Sequence, residues 1–340
     1  MHPGPLSHYF LFVIFSALTA IARWIAPALT VAVVGALALP APAVRLASDD
    51  NPLAGQPFYV DPTSAAMNAA HADPENPALA TIANTPQAYW LDQAFPAGSV
   101  GGTVARLTGA AQEAGAMPTL ALYAIPHRDC GSYAAGGFGS GAAYREWIDA
   151  VAAGLGSAPA AIIVEPDAIA MAGCLSSGQR EERFELLRYA VDSLTRDPAA
   201  AVYIDGGHSR WLSAGALAAG LNEAGVARAR GFSLNTSNFY ATDEEIGYGE
   251  EVSGMTGGAH YVVDTSRNGA GPAPETGLHW CNPRGRALGT PPTTDTTGPH
   301  ADAYLWIKRP GESDGSCGRG EPGAGRFVSQ YAIDLVRNSG

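Results

Sequence analysis

The sequence predicts an α/β barrel of parallel strands in a single domain, from three observations. Short, continuously apolar segments rich in branched residues recur along the chain. Amphipathic helical patterns separate them, and a polar cluster follows most of them. Candidate strands are residues 58–60, 119–125, 161–164, 201–204, 231–234, 260–263 and 303–307. Such runs fit strands buried on both faces, as in a parallel sheet covered by helices. Candidate helices are residues 100–114, 142–155, 179–195, 213–224 and 327–336. About seven such units over roughly 290 residues fit a closed barrel better than an open sheet.

The rest of the chain fits one exported domain. At 340 residues, 46% hydrophobic and 15% charged, it is long and apolar enough for one large core. Apolar stretches at residues 9–22 and 24–43, split by Arg23, end on Ala41-Pro42-Ala43. Residues 1–43 therefore read as an export signal with an Ala-x-Ala cleavage site or, uncleaved, as an N-terminal anchor. Secretion is expected. Residues 44–340 form the single mature domain, with no low-complexity linker and no separate carbohydrate-binding module in sight. The net charge of −12 and the lack of a basic run exclude nucleic acid as a partner. Lys308 is the only lysine and the other 19 basic residues are arginines, which marks Lys308 as a site needing a compact ammonium donor. Four cysteines, Cys130, Cys174, Cys281 and Cys317, suggest two disulfides, with three connectivities allowed. No CxxC pair supports a metal site.

The chemistry gathers at the strand ends. His127-Arg128-Asp129-Cys130, Glu165-Pro166-Asp167, Asp205-Gly206-Gly207-His208 and Asn235-Thr236-Ser237-Asn238 each follow an apolar run. So do Asp264-Thr265-Ser266-Arg267-Asn268-Gly269 and Lys308-Arg309-Pro310-Gly311-Glu312-Ser313-Asp314. A single Asp after a strand usually caps a turn. Carboxylates after five strands converge instead on one barrel mouth, where barrel enzymes place their sites. Such a ring repels itself unless some members are protonated or paired with Arg and Lys, which is how a general acid keeps its proton. Trp90, Tyr123, Trp211 and Trp280 flank these motifs, and indole faces stack on the apolar faces of pyranose rings. Asn235-Thr236-Ser237 also spells a glycosylation sequon, but a strand end in a pocket is a poor place for a glycan.

These motifs, with Arg210-Trp211, Trp280-Cys281-Asn282-Pro283 and Trp306-Ile307-Lys308, resemble glycoside hydrolase family 6 in order and over nearly the whole mature chain. The resemblance implies a distorted seven-stranded (β/α) barrel that hydrolyses β-1,4-glucosidic bonds of cellulose or cello-oligosaccharides with inversion, as a monomer and without metal or cofactor. It makes Asp167 the general acid, Asp129 the holder of its proton, Asp205 a carboxylate that tunes it, and Asp314 the candidate base. It places Trp90, Trp211 and Trp280 at sugar-stacking positions and Tyr123 beside the distorted ring. Arg128, His208, Asn235, Lys308 and Glu312 are then polar substrate or charge-balancing groups, with Arg128 and Lys308 keeping Asp129 and Asp314 ionised. The cysteines pair sequentially, Cys130 with Cys174 and Cys281 with Cys317. Inversion requires the two carboxyls to stand about 6.5–9.5 Å apart.

One position departs from the pattern. A serine that helps hold the attacking water in the family is Ala135 here, so slow hydrolysis is expected. Short, Gly-rich segments at residues 129–142 and 280–308 suggest an open cleft and endo action. The competing reading is a glucan-binding protein with weakened or lost catalysis; a third is a hydrolase of another envelope β-glucan.

Overall fold

The computed structural model describes residues 51–340, so the segment at 1–43 lies outside the described residues. Seven parallel strands form one sheet in sequential order. They are β1 (Tyr89–Leu91), β2 (Thr119–Leu122), β3 (Ala160–Val164), β4 (Ala200–Asp205), β5 (Gly231–Leu234), β6 (His260–Asp264) and β7 (Ala301–Leu305). The helices are α1 (Ala65–Ala72), α2 (Pro77–Ala83), α3 (Ala97–Glu113), α4 (Gly141–Leu155), α5 (Ser177–Leu194), α6 (Ala214–Ala224), α7 (Thr242–Met255) and α8 (Ser329–Arg337).

Two apolar layers explain why the strand runs are continuous. Successive strand side chains point to opposite faces. On β3, Ala160, Ile162 and Val164 pack under the helices, while Ala161 and Ile163 point into the barrel. β2 and β4 alternate the same way, with Ala121, Ala201 and Tyr203 inward. Small inward residues let the sheet curl, and the Tyr203 hydroxyl reaches Asp302 of β7 at 2.7 Å. Outside, α3 and α4 come into backbone contact. A Cβ on Gly154 would lie 2.3 Å from the Gly101 carbonyl oxygen.

The expected distorted seven-stranded barrel is present, curled and with a seam rather than closed all round. β1 and β7 share no ladder. They are joined by the Ala88 amide on the Trp306 carbonyl (2.9 Å) and by the Trp90 indole N–H on the Ile307 carbonyl (2.8 Å). The first strand is corrected. Residues 58–60 contribute one bridge, Phe58 to Met117. The strand is Tyr89–Leu91, defined by pairing with Leu120–Leu122 rather than by an apolar run of its own. β6 and β7 are connected without a helix.

Candidate active site

Backbone strain marks the mouth of the barrel. Among the described residues nine that are not glycine have positive φ: His127, Asp129, Cys130, Glu165, Asp167, Asn235, Ser237, Asn282 and Cys317. Each such conformation costs on the order of 1–3 kcal/mol and persists only where surrounding contacts over-determine it. All nine lie in the segments after β2, β3, β5, β6 and β7, within or next to the polar motifs.

Three carboxyls converge after β2, β3 and β4. Asp205 is buried, accepting from the amides of Asp167 (2.9 Å) and Gly207 (3.0 Å) and from the Ser233 hydroxyl (2.9 Å). Burial pushes its carboxyl up to about 6 despite those donors. Asp167 is raised well above the usual carboxylate range, first by desolvation, then by the charges of Asp205 and Asp129. Asp129 accepts the Ala134 amide at 2.7 Å. Its carboxyl is raised by partial burial, which outweighs the Ala134 amide and the Arg128 charge. Arg128 acts in the expected direction, favouring the ionised form of Asp129, but desolvation is the larger influence.

Asp314 has the opposite environment. Arg267 Nη1 lies 2.9 Å from one oxygen and Lys308 Nζ 3.2 Å from the other. The Asn282 amide donates to Asp314 at 3.0 Å, and the Asn282 side-chain oxygen accepts the Asp314 amide at 2.7 Å. Burial would raise this carboxyl, but Arg267 and then Lys308 outweigh it and hold it below its ordinary value. Lys308 thus meets the carboxylate expected for it. Arg267, fully buried, is the stronger partner and was missed as a site residue. Its position in a polar strand-end motif was the available signal.

The remaining residues divide into cleft surface and scaffold. Trp211 is 37% exposed, and the imidazole of His208 lies between Trp211 and Tyr240, with ring centroids 5.3 and 4.3 Å away. Desolvation lowers His208 to about 4, so it is neutral above mild acid. Its Nδ1 accepts the Arg210 amide, which leaves the proton on Nε2. Trp90 packs edge-on to Tyr123 at 5.4 Å, and Trp280 lies 6.0 Å from Tyr133 of the loop after β2. Glu312 is buried and ion-paired with Arg309 at 2.9 Å.

Two expected sugar contacts turn inward. Arg128 is buried over the Tyr123 ring at 4.3 Å, donating to Gln93, the Tyr123 carbonyl and the Ala134 carbonyl. Fully buried Asn235 donates to the Tyr240 and Asp264 carbonyls and accepts the Tyr240 amide. Both build turns. Burial also removes the sequon at Asn235 from reach.

Two crosslinks and one buried carboxylate fix these loops. The disulfides are Cys130–Cys174 and Cys281–Cys317, the sequential pairing. Asp264, fully buried, accepts from the amides of Ser237, Ser266, Ile307 and Lys308, drawing the ends of β5, β6 and β7 together.

Residues 50–339 match the family Glycosyl hydrolases family 6. Endoglucanase A of Cellulomonas fimi is 45% identical over 285 residues, 83% of this chain. The chain spans 61% of that relative's length. A probable 1,4-β-D-glucan cellobiohydrolase C of Aspergillus terreus is 30% identical over 364 residues, with 87% of this chain and 77% of the relative covered. Among solved structures, the endoglucanase Cel6 of Mycobacterium tuberculosis, in complex with methyl-cellobiosyl-4-deoxy-4-thio-β-D-cellobioside, is 76% identical with a TM-score of 0.85. That match covers 85% of this chain and 99% of the solved one.

Proposed function

The chain belongs to glycosyl hydrolases family 6, and from that premise we propose that it hydrolyses β-1,4-glucosidic bonds in cellulose or a related β-glucan, with inversion and within the polymer. One observation carries the chemical reading: the mouth holds two carboxyls driven in opposite directions. Asp167 is pushed toward its protonated form by burial and by Asp205 and Asp129. Asp314 is kept ionised by Arg267 and Lys308. Divergent pairs of this kind are how one site supplies both an acid and a base at one pH.

In the proposed mechanism Asp167 gives its proton to the leaving glycosidic oxygen while Asp314 draws a proton from the attacking water. Asp129 and Asp205 raise the proton affinity of Asp167 beforehand, and Asp129 stabilises positive charge as it develops on the sugar ring. Trp90, Trp211 and Trp280 offer stacking faces, with Tyr123 beside the ring that distorts. The names of the 45% and 76% identical relatives, both endoglucanases, favour endo action over release from chain ends. Secretion and a monomeric state complete the proposal. Binding of glucan with weakened catalysis is the second reading, favoured by Ala135 alone.

The test is proton NMR of cello-oligosaccharide hydrolysis. The first product should carry the α-anomer, and a β-anomer would overturn the assignment. Asp167→Ala should lower turnover by roughly 10²–10⁴-fold, the usual contribution of acid–base assistance. Binding without turnover in the unaltered protein would select the second reading.

A further inference from the structure

The Glu165-Pro166-Asp167 motif contains one acid that the mechanism above does not use. Glu165 is fully buried, two residues before Asp167. Its carboxyl accepts the amides of Ala124 (2.9 Å) and Ile125 (3.0 Å), at the start of the loop that carries Asp129. Arg183 of α5 makes the reciprocal connection. It is buried at 3% exposure, and its guanidinium donates to the carbonyls of Pro126 (2.8 Å) and His127 (3.0 Å) on the first loop. It also donates to Ala168 (3.0 Å), the residue after Asp167. One side chain thus fastens loop two to loop one, and the other fastens both loops to a helix.

This expenditure needs a reason. A buried guanidinium and a buried carboxyl are costly to desolvate, and an apolar pair would often be as stable. The loops they join contain five strained residues: His127, Asp129, Cys130, Glu165 and Asp167. Relaxation of either loop would carry Asp129 away from Asp167. We propose that Glu165 and Arg183 are positioning residues that hold the loops after β2 and β3 in the register where Asp129 stands against Asp167. The proposal rests on the reading of Asp167 as proton donor. Asp167 is faced by Asp205 from β4 and by Asp129 and Tyr123 from the first loop. Asp129 is faced by Arg128, and Glu165 by Tyr144 of α4 and Arg183 of α5. Slackening the clamp removes like charge from Asp167, so its proton is lost at lower pH.

The experiment compares Glu165→Gln, Arg183→Lys and Arg183→Met with the unaltered protein on cellohexaose across pH. Each variant should lose roughly tenfold or more in kcat, part of the contribution of acid assistance, with little change in KM. The alkaline limb of kcat/KM should move toward acid by about half a pH unit. A limb that stays in place, or a loss confined to KM, would overturn the proposal. If Arg183→Met does not fold, Arg183→Lys and Glu165→Gln, which nearly preserve volume, still decide it. Asp167→Asn separates the two failures. If it keeps full turnover and an unchanged limb, the reading of Asp167 falls. If it abolishes turnover while the clamp variants leave the limb in place, the clamp falls alone.

Discussion

At Ala135 a methyl group stands where the resemblance to the family leads one to expect a hydroxyl. The Ala135 amide donates to the Ser132 carbonyl, and the residue is exposed, so a hydroxyl can be added without steric cost. Ala135→Ser should raise kcat on a soluble cello-oligosaccharide severalfold; unchanged turnover would show that the position does not limit the water. The carboxylates themselves were legible in the sequence, because each follows an apolar run, and the family resemblance ranked them. The contacts that make them unequal were not all legible. Their inequality arises from Arg267 beside Asp314 and from Asp205 beneath Asp167, contacts between segments 38 and 47 residues apart. Arg183 left a fainter trace, a charge embedded in the buried stripe of α5 with Phe184, Leu187 and Val191. Arg128 and Asn235 were misplaced for the converse reason: their motifs reach the mouth, but their side chains turn back to satisfy backbone groups.

Elements were readable in proportion to how far their own sequence determined them. β2 to β7 are apolar on both faces, so each stood out alone. β1 is three residues long and is a strand because Leu120–Leu122 pairs with it. α7 went unread because glycines at 247, 249 and 254 and acids at 243, 244 and 245 break up its stripe. In α3 and α4, Gly101 and Gly154 allow a crossing closer than any side chain would. Gly154→Val should cost about 1–3 kcal/mol through overpacking, with further loss if the helices separate. Thermal denaturation would register this, and an unchanged Tm would mean that the crossing has slack.

For the molecule as a whole, buried acids set the pH at which the fold is firmest. Burial pushes Glu165 and Glu245 up to about 7 and Asp205 up to about 6. A carboxyl raised in the folded state contributes stability that is full below its unfolded pKa and is lost as pH rises through the folded one. That loss falls between about pH 4 and 7. His208, lowered to about 4, works in the opposite sense over the same interval, but it is one group against several raised carboxyls, Asp167 and Asp129 among them. Asp314 and Asp302, held low by their cationic partners, lose their contribution only in stronger acid. Tm should therefore be higher near pH 5 than near pH 8, and the reverse order would contradict these environments. The disulfides, closing separations of 44 and 36 residues, add about 3–4 kcal/mol each in the chain-entropy picture. Lys308 brings a consequence of another kind. The chain's only lysine is 8% exposed, with its ammonium fixed between Asp314 and the Ser313 carbonyl. Succinimidyl esters and aldehydes, which label most proteins at many points, would find no exposed lysine among the described residues. Native acylation followed by mass spectrometry should leave Lys308 unmodified, so amine-directed coupling should spare the carboxylate site that this lysine braces.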